Sequence, residues 1–187
     1  MKGIDLLHVQ LRGSCDQVVA HARDAEPFWS QRAFPGSSLP GFVAWHCARI
    51  VDWGLSTVVR EVAEVAAAPP WRDRVRYDLG HGAGIDDAEA DELTATVRPA
   101  DVVAYAQVLR DSIDVWASTV ADGDLDRVPS LRLVNQVHPR YASDAAWAEI
   151  EALEGLPAWQ FLARPCVGHI RVHIGELATL CQIMQAG

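Results

Sequence analysis

Lysine is nearly missing from this 187-residue chain: it occurs once, at Lys2, and arginine carries the remaining basic charge. Sixteen basic residues face 25 acidic ones, for a formal net charge of −9. That balance opposes the basic footprint of a protein that neutralises phosphates along a duplex, so nucleic acid is not an expected partner. No stretch approaches the roughly 18 consecutive apolar residues of a membrane span. The opening Met1-Lys2-Gly3-Ile4-Asp5 lacks the basic-then-apolar order of a signal peptide, and a cytoplasmic location without membrane contact is expected. The four cysteines, Cys15, Cys47, Cys166 and Cys181, include no CxxC pair and read as reduced, buried thiols. GxSxG, Walker and dinucleotide fingerprints are absent. The run Gly80-His81-Gly82-Ala83-Gly84 lacks the strand-to-helix setting of a phosphate cradle and reads as a flexible surface loop.

Half of the residues are apolar, enough to build the core of one domain spanning residues 1–187. Leu7, Leu11, Val18 and Val19 repeat at helical spacing within a first amphipathic helix from about Ile4 to Arg23. A breaker-rich loop from Pro27 to Gly41 leads to a second helix from about Phe42 to Ala67, with serines upstream to cap it and Pro69-Pro70 to stop it. Asp86 to Thr96 suits a short acidic helix. Pro99 opens a third long helix to about Val120, with Val102, Tyr105, Leu109, Ile113 and Trp116 on one face. Leu125 to Ala142 is an irregular crossover with some extended structure expected around Leu131-Arg132-Leu133-Val134. Ser143-Asp144 caps another short helix through about Leu153. In the last segment, opened by Gly155-Leu156-Pro157, Pro165 either kinks a helix or starts the fourth long one, which runs to about Gln185. Strand signals are too sparse for a sheet. The expected class is all-α: a four-helix bundle with long crossover connections and short extra helices.

The densest chemistry lies in the last helix. Counting from His169 at about 100° per residue, His173 falls about 40° away and Glu176 about −20°, so the three share one face, bordered by Cys166 and Leu180. Two imidazoles one turn apart can point at one ion, but two ligands do not hold a metal alone. His46, within Trp45-His46-Cys47-Ala48-Arg49-Ile50-Val51-Asp52-Trp53, supplies a third from a distant helix, as a site assembled between facing helices requires. Neutral imidazole suits zinc, nickel or iron, and three protein ligands with an open position characterise catalytic rather than structural zinc. Glu176 has three roles open to it. It accepts the far ring proton of His173, serves as proton acceptor for a bound water or thiol, or acts as a ligand in place of His46. Asp52 lies about 120° from His46 around its helix and reads, with Trp45 and Arg49, as an internal polar contact. His8, His21, His81 and His138 read as surface residues, and the remaining tryptophans as core or loop anchors.

Nearly the full chain resembles the DinB/YfiT-like superfamily of metal-binding four-helix bundles. The segment Trp45-His46-Cys47-Ala48-Arg49-Ile50-Val51-Asp52 is similar to that family's WHxARxxD pattern, and His169-Ile170-Arg171-Val172-His173-Ile174-Gly175-Glu176-Leu177 to its HxxxHxGEL pattern. The resemblance implies that His46, His169 and His173 are a metal triad, beside which Glu176, on the face shared with His169 and His173, is the catalytic candidate. It also implies metal-dependent activation of a small thiol for S-transfer or isomerisation of an electrophilic substrate. The family's maleylpyruvate isomerases carry an additional C-terminal catalytic domain for which 187 residues leave no room, so that particular reaction is not implied. An arginine- and alanine-rich, lysine-poor composition is that of a GC-rich genome, which favours mycothiol as the thiol. Two readings compete on the same residues: a metal-binding or stress-response bundle without turnover, and a hydrolase with Glu176 as base. Pairing of bundles through helix faces in this family, together with seven tryptophans, leads to an expected homodimer.

Overall fold

The computed structural model describes residues 3–186, so Met1 and Lys2, on which the leader-peptide reading rests, lie outside the described residues together with Gly187. The chain is all-helical, with no strand among the described residues. Helix α1, Gly3–Asp24, buries Leu7, Leu11, Val18 and Ala22 along one stripe, and the Asp122 carboxylate accepts from the Gly3 and Ile4 amides that its first turn leaves unpaired. Helix α2, Pro40–Asp52, buries every residue except Phe42 and continues as wider π-type turns over Trp53–Arg60. Short α3, Trp71–Arg74, leads through a 3-10 turn at Tyr77–Leu79 to α4, Asp87–Thr96. There Asp86 accepts from the Glu89 amide and Glu89 reaches back to the Asp86 amide, a complete capping box. Helix α5, Pro99–Ala117, lies along α1 and α2, with Val102, Tyr105, Leu109, Ile113 and Trp116 buried.

Short α6, at Leu131–Val134, lies within the crossover, and α7 at Asp144–Ile150 and α8 at Ala158–Phe161 follow it. The expected extended stretch at Leu131-Val134 is therefore corrected to a helical turn: four residues are too few to distinguish one period from another, and Leu131 and Val134, three apart, are the two that face the core. Ser143 caps α7 through the Ala146 amide, where the sequence places the cap. Pro165 does not restart the last helix. Its missing amide and bulky ring are absorbed by π-type turns over Leu162–His169, which run directly into α9, Ile170–Ala186.

The second helix departs most from expectation, ending at Arg60 rather than near Ala67. Fully buried Arg49 donates to the Gly80 carbonyl and to the Tyr105 and Tyr141 hydroxyls, and pairs with Glu64 at 2.7 Å and Asp52 at 3.5 Å. For Glu64 to reach it, the chain must leave the helix and fold back. Glu61 makes that turn with a left-handed φ of 53°, and Asp52 accepts from the Val65 and Ala66 amides. Removing one partner of such a network costs about 3–5 kcal/mol because a buried charge is left uncompensated. Trp45, expected beside Asp52, instead donates to the Val75 carbonyl.

The serines upstream of α2 do not cap it either; its first residue is preceded by Leu39, which makes no side-chain cap. Trp29, Trp45, Trp53 and Trp116 are buried, Trp71 and Trp147 pack on the core, and Trp159 is about half exposed. The core accounts for most of the tryptophans, so their number no longer argues for a dimer. All four cysteines are free and buried. Among the described residues no helix is long and apolar enough to cross a membrane.

Candidate metal centre

His46 sits in the middle of α2, His169 at the end of the π-type segment and His173 one turn further into α9, two helices that pack directly on each other. The Nε2 atoms of His46 and His169 are 3.2 Å apart, and those of His169 and His173 3.1 Å. All three ligand atoms lie within 4.8 Å of one another, and no other group of three metal-capable side chains converges in this way among the described residues. Zinc bonds of about 2.0–2.1 Å at tetrahedral angles separate two nitrogens by about 3.3 Å, so the spacing fits one ion.

For two of the three rings the far side explains why the lone pair faces inward. His46 Nδ1 meets the His81 carbonyl at 2.5 Å, and since a carbonyl only accepts, the proton is on Nδ1 and Nε2 presents a lone pair. His173 Nδ1 meets Glu176 Oε2 at 2.9 Å, which fixes the same tautomer there. Glu176 Oε1 in turn accepts from the Ser38 hydroxyl at 2.6 Å. With two inward lone pairs fixed, the His169 proton can satisfy only one of them, whereas a cation satisfies all three.

Burial keeps His46 neutral: desolvation first, then the neighbouring imidazoles, lower its pKa to about 3. Burial and His173 likewise lower that of His169. Glu176 is held below the usual carboxylate range, first by the hydrogen bond from His173 and also by that from Ser38, against the opposing effect of burial. Neutral imidazoles beside an ionised carboxylate are the forms a divalent cation binds.

The glycine loop expected at the surface is buried at Gly80, His81 and Gly82. Gly82 explains the approach: its φ is +103°, and a Cβ there would meet His46 Nδ1 and the Trp45 ring at 3.0 Å. Only glycine lets this backbone lie against the ligand histidine. His81 is corrected from surface to interior, with its ring stacked on Tyr141 at 4.9 Å and 4.6 Å from Trp53. His138 is likewise buried, against Tyr77 and Tyr141.

Exposure is graded across the triad, from buried His46 through half-buried His173 to exposed His169. A cleft of about 230 Å³ opens beside it, with His46, His169, His81, Trp53, Ile150 and Pro165 among its walls. Ser38 and His81 are the site residues that sequence reasoning missed. Ser38 lay in a breaker cluster that signals only a loop, and a histidine between glycines gives no sign of burial.

Cys166 borders the histidine stripe in sequence but is fully buried, and its thiol donates to the Ile50 carbonyl. Burial raises the pKa of Cys166 and of Cys47, leaving both as unreactive thiols. Asp52 is occupied by the Arg49 network and takes no part in the triad. No family model, curated protein or solved structure matches the chain.

Proposed function

We propose that this chain is a metal-dependent enzyme built on a four-helix bundle of DinB/YfiT-like type, which activates a small thiol for S-transfer to, or isomerisation of, an electrophile. The observation that carries this reading is the convergence of three imidazole nitrogens, two of them with tautomers fixed from behind, beside an open cleft that His46 and His169 line. Zinc suits three neutral nitrogens best, with nickel or iron as alternatives. When bound, a divalent ion supplies the positive charge that favours ionisation of a coordinated thiol or water near neutral pH.

The chain's own residues do the rest. The His81 carbonyl and the Ser38–Glu176 pair hold the His46 and His173 rings in their ligand tautomers, while Trp53, Ile150 and Pro165 present an apolar wall that keeps water from the reacting atoms. Both oxygens of Glu176 are engaged, which supports a positioning role and weighs against a hydrolase with Glu176 as general base. Graded exposure of the triad weighs against a purely structural ion, because structural sites are closed by protein on all sides. Mycothiol is the thiol of choice on compositional grounds, and the partners are the thiol and its electrophile in a cytoplasmic setting.

Zinc-loaded protein incubated with mycothiol and a panel of small electrophiles, followed by mass spectrometry of the products, tests this. Adduct or isomer formation is expected to require both ion and thiol and to persist in Cys47→Ser and Cys166→Ser. Equal rates with metal-free protein across the panel would remove the enzymatic reading.

A further inference from the structure

The cleft beside the triad contains one polar group that the fold itself leaves without a role. His81 is 2 % exposed, and neither ring nitrogen has a hydrogen-bond partner among the described residues. Its carbonyl serves His46, but the ring contributes stacking on Tyr141 and contacts with Trp53 and the His46 ring, which an apolar ring would provide without two orphaned nitrogens. An imidazole always carries at least one donor, and a buried donor without an acceptor is disfavoured unless a ligand completes it.

A second polar group lies on the same cleft. Arg164 is exposed and has no carboxylate partner or hydrogen bond among the described residues, in a chain where acidic residues outnumber basic ones 25 to 16. Glu149 also lines the cleft, but its carboxylate accepts from the Gly84 amide. The remaining wall is largely apolar, including Ile50, Trp53, Ile150 and Leu153. At about 230 Å³ the space falls below the roughly 300–1,000 Å³ of pockets for drug-sized ligands, so it takes a small molecule or one end of a larger one.

We propose that this cleft binds a small carboxylate carrying a metal-coordinating atom, with the His81 ring donating to one carboxylate oxygen and Arg164 pairing with the other. The assignment rests on the metal-site reading above and adds to it the substrate class and two binding residues. The coordinating atom faces His46 and His169, the short carbon chain lies on the apolar wall, and the carboxylate lies between His81 and Arg164. His81 is then a binding residue whose orphaned ring N–H is satisfied only in the complex.

Cobalt-loaded protein titrated with mercaptoacetate and, in parallel, with uncharged mercaptoethanol tests this through the cobalt absorption spectrum. Mercaptoacetate is expected to bind more tightly. Arg164→Gln is expected to remove that preference, a change of about two- to fivefold, with mercaptoethanol unaffected. His81→Leu is expected to weaken mercaptoacetate about tenfold, with partial recovery in His81→Gln. The melting temperature of metal-free His81→Leu should equal or exceed that of the parent, because no intramolecular hydrogen bond is lost; a marked fall would assign the ring a structural role and overturn its part in binding. Failure of the parent protein to take up cobalt would overturn the metal-site reading and this one with it. A loaded parent whose affinities for the two thiols are equal, and unchanged in both variants, would overturn the cleft assignment and leave the metal site standing.

Discussion

At the residue scale the site is governed by what lies behind each ligand. Glu176 touches no ligand nitrogen that faces the ion, yet it holds His173 through Nδ1 and is itself held by Ser38. Glu176→Gln keeps the shape, loses the charge and leaves Nδ1 facing an amide that can present either end. Metal affinity is therefore expected to fall roughly 10- to 100-fold, read by competition with a chromophoric chelator. An unchanged affinity would show that Glu176 is merely solvated. That His169, His173 and Glu176 share one face was legible from helical period, which places residues three, four and seven apart together, while the expectation of a metal there came from the family resemblance. His81 was not, because its burial depends on a glycine loop folding back over α2, a tertiary event with no local signature. Ser38 was missed for the same reason: its partner lies 138 positions away.

At the scale of elements, the two π-type segments, Trp53–Arg60 and Leu162–His169, pack on each other just beyond the triad. The contact is tight at Gly54, where a Cβ would lie 2.4 Å from Cys166 Sγ. Gly54→Ala is expected to lower stability by about 1–3 kcal/mol through overpacking, measured by urea denaturation. Cys166→Ala in the same chain removes the clashing sulfur, so the double variant is expected to lose less than the sum of the two single changes. Strict additivity would contradict this packing. Pro99 at the start of α5 and Ser143 at the cap of α7 were legible from residue type, whereas the serines before α2 do not cap it and Pro165 starts no helix. The end of α2 was not: Pro69-Pro70 is a strong stop signal, but the earlier exit is dictated by the need of buried Arg49 for Glu64, which no local pattern encodes.

For the whole molecule, the acidic charge and all-helical packing provide a frame in which residues 123 positions apart, His46 and His169, come within 3.2 Å. An ion there ties α2 to α9 and adds its binding free energy to the folded state alone, since the unfolded chain has no preformed site. The helix class was readable because apolar residues recur at helical spacing in four long stretches. The crossover was not, because its short helices are set by contacts with the core rather than by their own period. Everything proposed for the site depends on whether those three imidazoles hold an ion. The direct measurement is metal content by mass spectrometry, on protein purified without a histidine tag, for the parent and for His46→Ala, His169→Ala and His173→Ala, with circular dichroism confirming that each remains folded. About one divalent ion per parent chain, lost from each folded variant, is the predicted result. Stoichiometric metal retained in all three variants, or a parent chain that takes up none when dialysed against zinc, would contradict it.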